Sequence, residues 1–185
     1  MIYLLDINVL LALAYPDHIH HRRVFAWLNT QHGSPPDRNM YATCAITEIG
    51  FVRIASGRAA LTTDVDSAKR DLLQLKDTGL FVFLNDSRTA EQLPDWVAKS
   101  EQTTDGHLLE LATSCGGRFV TLDRGIPGAD LIPELSGGTL LVRDPWSRRR
   151  IIDPDTSDAL GDPPYEEMRS RDAYATAKRG VTPQS

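Results

Sequence analysis

Apolar residues fall into short runs along the chain, and the runs alternate in kind. Ile2-Tyr3-Leu4-Leu5 is apolar without alternation, the pattern of a strand covered on both faces. At Asp6 the pattern changes, and Ile7 to Ala14 reads as a helix stopped before Pro16. A second helix is predicted from Ile19 to Gln31, with Val24, Trp27 and Leu28 on one face and His20, His21, Arg22 and Arg23 on the other. Gly33 to Asp37 is a loop by composition. Met40-Tyr41-Ala42 predicts a short strand, and Cys44 to Ala55 a helix with Thr43 as N-cap and Gly57 as its end. Thr63-Asp64-Val65-Asp66 has a capping-box form ahead of a helix reaching Asp77, which Gly79 closes. Leu80 to Leu84 is another buried strand. Residues 86 to 101 suit short helices around Ala90 and Trp96, broken near Pro94. Thr104 starts a helix through Ala112 that Gly116-Gly117 stops. Arg118 to Leu122 is a strand ending at Asp123, and Thr139 to Val142 is the last one.

Strands alternating with helices predict an α/β fold, a mostly parallel sheet with helices on both faces. The 185 residues suffice for one domain with a complete core. Large aliphatic residues thin out after Val142, so residues 1–142 are read as the domain and 143–185 as a C-terminal extension, flexible or docked on it. At 41% apolar and 24% charged the composition is that of a soluble globular protein. A net charge of −5 argues against broad, charge-driven nucleic-acid binding, but it leaves room for a local basic surface. Cys44 and Cys115 lie in apolar helical surroundings without metal-ligand spacing, and are expected free, reduced and buried. Ile2 to Tyr15 has no basic leader, carries Asp6 and is too short to span a bilayer; no membrane and a cytoplasmic location are expected.

Four acids stand out by position. Asp6 and Asp123 each end an apolar strand, and parallel strands put such ends on one edge of a sheet, where ligands bind in open α/β folds. Asp105 lies in the first turn of a helix, where the dipole favours negative charge. Helix capping alone also accounts for Asp6 or Asp105 taken singly. Glu48 shares a helix face with Ala45 and Val52, and a carboxylate there needs a partner. That partner is either an arginine, Arg53 or Arg58, or a metal ion shared with other acids. Hard oxygen ligands without cysteine suit Mg²⁺ or Mn²⁺. Such a site can activate water and stabilise charge on a phosphoryl oxygen.

The segments Leu4 to Leu10, Thr47 to Arg53, Thr104 to Ala112 and Phe119 to Gly125 together resemble the PIN-domain nucleases, above all the toxins of VapBC toxin–antitoxin pairs. The resemblance covers about residues 1 to 142. It implies a PIN-like three-layer fold and a Mg²⁺- or Mn²⁺-dependent endoribonuclease restrained by a small antitoxin, working as a homodimer. It assigns Asp6, Glu48, Asp105 and Asp123 to the catalytic, metal-holding quartet, and Asn8 and Thr104 to positions that orient ligands or water. Ile7 stands where many relatives carry a small hydroxyl residue.

Other signals are weaker. His18, His20 and His21 lack the further ligands that zinc requires and read as a solvated face. Arg22, Arg23 and Arg124 are the basic side chains placed to meet RNA phosphates. Arg148-Arg149-Arg150 is a solvated charge run, Trp27 and Trp96 are core or interface, and His107 has no assigned role. One rival reading is a phosphatase of the haloacid dehalogenase type, whose nucleophilic Asp is followed by a second Asp two residues later; here that residue is Asn8. Another is a PIN-like protein that binds RNA or a partner without cutting, which the retention of all four acids disfavours.

Overall fold

The computed structural model describes residues 1–31, 39–57 and 64–135. The expected loop at 33–37, the strand at 139–142, the extension from 143 and Arg58 lie outside them. Five strands form one sheet: β1 (Ile2–Leu5), β2 (Met40–Cys44), β3 (Phe81–Leu84), β4 (Arg118–Thr121) and β5 (Asp130–Leu131). Five helices connect or flank them: α1 (Ile7–Ala14), α2 (His21–Thr30), α3 (Ala45–Gly57), α4 (Val65–Lys76) and α5 (Thr103–Ser114). The strand order is β3-β2-β1-β4-β5, and every neighbouring pair is parallel. The α/β expectation therefore holds, with the sheet wholly parallel over these strands.

Side chains alternate across the sheet. Leu4, Ala42, Cys44, Leu84 and Phe119 pack with Leu108, Leu111 and Ala112 of α5. Tyr3 and Tyr41 belong to the other face, where Trp27 of α2 meets both rings, at 5.7 and 6.1 Å between centroids. Tyr15 stacks on Phe51 at 5.9 Å and ties the end of α1 to α3. At Gly50 an added Cβ would lie 2.3 Å from Ile7 Cδ1, so α3 approaches α1 closely because that residue has no side chain.

Several boundaries move, each for a local reason. Helix α2 starts at His21 rather than Ile19, because residues 15–21 are used in two turns: His18 N–H donates to Tyr15 O, and His21 N–H to His18 O. Thr43 does not cap α3; it lies in β2, and Thr47 Oγ1 accepts the Cys44 N–H at 2.9 Å instead. Helix α4 is capped by Asp64, which accepts the Ser67 N–H at 2.7 Å. Strand β3 is an edge strand and leaves Phe83 47% exposed, so it is not covered on both faces. Short 3₁₀ turns occupy Ala90–Gln92 and Ser100–Gln102, while Trp96 packs against the core from a turn. Strand β5 has only two residues and no apolar run of its own. Cys44 is buried and free as expected, whereas Cys115 caps the C-terminus of α5 and is exposed.

Candidate active site

The order of strands reverses beside β1: β2 pairs with it on one side and β4 on the other. Asp6 follows β1 and Asp123 lies just beyond β4, so both carboxylates emerge at this switch point. The register is fixed by the Leu5–Val120 pair and continued by Asp6 N–H, which donates to Val120 O at 2.9 Å. Each acid is then oriented by its own turn. Asp6 Oδ1 accepts the Ile7 N–H at 2.6 Å, and Oδ2 accepts the Thr121 hydroxyl at 2.8 Å. Asp123 Oδ1 accepts the Gly125 N–H at 2.7 Å, and its own N–H donates to Thr121 Oγ1 at 3.0 Å. A buried threonine thus serves both acids.

Asp105 lies in the first turn of α5. Burial, then the charges of Asp6 and Asp123, push its carboxyl up to about 6. Asp6 is only 6% exposed. Burial raises its pKa against the bonds from Thr121 and Ile7, with a smaller contribution from the charge of Asp123. The three aspartates are therefore electrostatic neighbours. Burial biases Asp6 and Asp105 toward the protonated form, and carboxylate oxygens of this kind are the donors that suit a hard divalent ion.

Glu48 stands apart from that group. It is half-buried in the first turn of α3, where Oε1 accepts the Thr43 hydroxyl at 2.6 Å and pairs with Lys76 of α4. The cation beside it is thus Lys76 rather than Arg53, the one of the two arginines weighed from the sequence that lies among the described residues. Among the described residues no three His, Cys, Asp or Glu side chains converge closely enough to enclose an ion as they stand. Glu48 is engaged by Lys76, and both oxygens of Asp6 are engaged by donors of the fold.

Asn8 is exposed in α1, and its backbone N–H helps hold the charge of Asp6. Thr104 is exposed one residue before Asp105. Arg22 is exposed; Arg124 is 71% exposed and pairs with Glu134 at 3.2 Å. Arg23 is not available to RNA. It is buried, donates to Ile132 O and Pro133 O, and pairs with Glu134 at 2.9 Å. His107, given no role from the sequence, bonds Asp86 at 2.5 Å. Burial opposes the charge of Asp86, but the bonds from His107 and the Arg88 N–H hold its carboxyl below the usual range. That pair fastens the segment after β3 to α5. Thr121 and Lys76 were the residues the sequence did not mark. Thr121 carried a faint signal, a hydroxyl closing an apolar strand, and Lys76 none.

No family model matches the chain. Ribonuclease VapC38 of Mycobacterium tuberculosis is 39% identical over 129 residues, covering 66% of this chain and 86% of that protein. Ribonuclease VapC44 of the same organism is 37% identical over 138 residues, covering 68% of this chain and 92% of its own length. The crystal structure of Mycobacterium tuberculosis VapC20, a toxin that cleaves the sarcin–ricin loop, superposes with a TM-score of 0.51 at 11% identity, over 71% of this chain and 99% of that one. The last likeness is one of fold. The first two extend over most of each relative's length, and on that ground the chain belongs to the VapC family of PIN-domain ribonucleases.

Proposed function

We propose that this chain is a divalent-metal-dependent endoribonuclease that hydrolyses RNA phosphodiester bonds and acts as the toxin of a toxin–antitoxin pair. What supports the reading is the emergence of Asp6 and Asp123 at the switch point, with Asp105 near enough for their charges, after its own burial, to raise its carboxyl to about 6. Asp6, Asp105 and Asp123 would hold Mg²⁺ or Mn²⁺, with Glu48 as the fourth acid assigned by family resemblance. Bound there, the ion supplies charge stabilisation at a phosphoryl oxygen and lowers the pKa of water. The chain's own part is placement. Thr121 and the Ile7 N–H aim Asp6 and favour its charged form against burial, and the Gly125 N–H fixes Asp123.

The acidic site also suits a basic side chain. We therefore infer a small antitoxin that presents an Arg or Lys to these carboxylates, with paired hydrogen bonds where it is Arg. A homodimer, a nuclease domain over residues 1–142 and a C-terminal extension over 143–185 complete the proposal. No helix among the described residues is long and apolar enough to cross a membrane.

The decisive experiment is cleavage of RNA by the purified full chain with Mg²⁺ or Mn²⁺, beside EDTA and an Asp6→Asn control. Cleavage that EDTA and Asp6→Asn both abolish is expected. Undiminished cleavage in EDTA, or hydrolysis of a phosphomonoester in place of RNA, overturns the reading. Co-purification with the product of the adjacent reading frame tests the antitoxin.

A further inference from the structure

Between α1 and α2 the chain crosses the same end of the sheet as the acids. His18, Ile19 and His20, together with Asn8, Leu122 and Asp123, line an open pocket of about 290 Å³. Its wall has a defined shape. His18 N–H donates to Tyr15 O at 3.0 Å, His21 N–H to His18 O at 2.8 Å, and His20 N–H to His18 Nδ1 at 3.2 Å. The rings of His18 and His20 lie 5.7 Å apart at 52° to each other, and Ile19 is 87% exposed at the rim. A single exposed isoleucine needs no explanation by itself. Here it borders a pocket whose opposite wall is an acid of the reaction site.

Three occupants can be weighed. Zinc is disfavoured because it takes three or four ligands. His21 is turned away, with Nδ1 2.7 Å from Ala12 O and its ring against Phe25. A phosphate is disfavoured in the pocket itself because no Lys or Arg is among its lining residues. A neutral, flat group with polar edges fits both the imidazole faces and the mixed lining. The volume falls just below the roughly 300–1,000 Å³ of sites for larger ligands, which suits one ring system. Unstacked RNA bases are held in this way, on aromatic faces including histidine and by hydrogen bonds to their edges.

We propose that His18, Ile19 and His20 form a base subsite that receives the nucleobase beside the scissile phosphate and sets a nucleotide preference there. The proposal deepens the ribonuclease reading and rests on it for the identity of the ligand. Asp123 borders both places, so a base in the pocket leaves its phosphate at the aspartates.

The test has two arms, both with the full chain and Mg²⁺. In the first, a randomised single-stranded RNA pool is cut and the new ends are sequenced for wild type, Ile19→Ser and His20→Ala. Wild type should show a preference at a nucleotide flanking the cut. The variants should lose about tenfold of it at that position alone, with KM raised about tenfold on a preferred oligonucleotide and kcat within about threefold, as for loss of one stacked base. Unchanged preference and unchanged KM overturn the subsite. In the second arm, histidine ring resonances are followed by NMR while AMP or UMP is added, with ribose 5-phosphate as comparison. Shifts of His18 and His20 that require the base are expected, and equal shifts with ribose 5-phosphate overturn it. Base-dependent shifts in a chain that cuts no RNA would sink the ribonuclease reading and leave the pocket standing.

Discussion

Thr121 donates its hydroxyl to Asp6 across the β1–β4 pair at 2.8 Å, and the same oxygen accepts the Asp123 N–H. One side chain with no exposed surface thus aims two acids from adjacent strands. Thr121→Val keeps the shape and removes the donor. Hydrogen bonds to a charged group contribute about 1.5–3 kcal/mol, so Asp6 should become harder to ionise and the Mg²⁺ needed for half-maximal cleavage should rise about tenfold or more. Thr121→Ser should restore it. A Mg²⁺ titration of cleavage rate with the three proteins decides, and wild-type dependence in Thr121→Val would refute the link.

Asp105 supplies a prediction about stability. Its carboxyl titrates near 6 in the folded chain, against 3.8 for the unperturbed group. Between those values the folded state binds more protons than the unfolded one, so stability falls as pH rises through the window. Without metal, Asp105→Asn should be more stable than wild type at pH 7, and the gain should vanish near pH 4. The group is partly exposed, so solvent screening limits the gain to about 1 kcal/mol, a few degrees in Tm. Thermal melts in EDTA at both pH values test this. A gain equal at both would assign it to something other than charge.

Lys76 and Glu48 are joined between α3 and α4, which leaves Glu48 neutralised while the aspartates are not. Lys76→Met removes the competing cation and leaves Glu48 without its ion-pair partner. If Glu48 takes part in holding metal, the Mg²⁺ requirement should drop by about two- to tenfold, as expected for losing a half-buried ion pair. Glu48→Gln combined with Lys76→Met should erase that change. Metal titrations of the single and double variants measure the coupling directly.

How much of this was visible in the sequence follows from where each signal resides. Ile2 to Leu5 and Ile7 to Ala14 declare a buried strand and a helix in their own residues, and Asp6 sits where one becomes the other. Asp123 was legible for the same reason. Their meeting needed only the parallel topology. Strand β5 was not legible, because Asp130–Leu131 owes its state to pairing with Val120 and Thr121. The Lys76–Glu48 pair depends on how two helices pack, which periodicity does not encode. Arg23 misled for a related reason: helical spacing placed it on the polar face with Arg22, but the segment at Ile132–Glu134 comes back to cover it.

The approach of α3 to α1 gives a packing prediction. A methyl group at Gly50 would press on Ile7, at 2.3 Å from Cδ1 and 3.0 Å from Cγ1. Gly50→Ala should destabilise by about 1–3 kcal/mol, the usual cost of overpacking. Ile7→Ala opens that space, so the double variant should recover part of the loss rather than add a second one. Denaturant unfolding of the four proteins reads the cycle. Strict additivity would show that the contact is relieved elsewhere.

Arg22 and Arg23 are neighbours in sequence with opposite expected effects. Arg22 is exposed on α2, so Arg22→Ala should leave Tm within about 1 °C, as surface changes do. If it meets a phosphate, RNA binding should weaken and the dependence of log K on log salt should flatten by about one contact. Arg23 is 6% exposed and spends its guanidinium on Ile132 O, Pro133 O and Glu134. Arg23→Met should cost about 3 kcal/mol, because it leaves buried carbonyls without a donor, and should lower Tm by several degrees. At a temperature where the variant is still folded, its salt slope for RNA should equal that of wild type. Reduced binding with a flattened slope at full stability would return Arg23 to the RNA surface, and would require the segment at Ile132–Glu134 to lift away from α2.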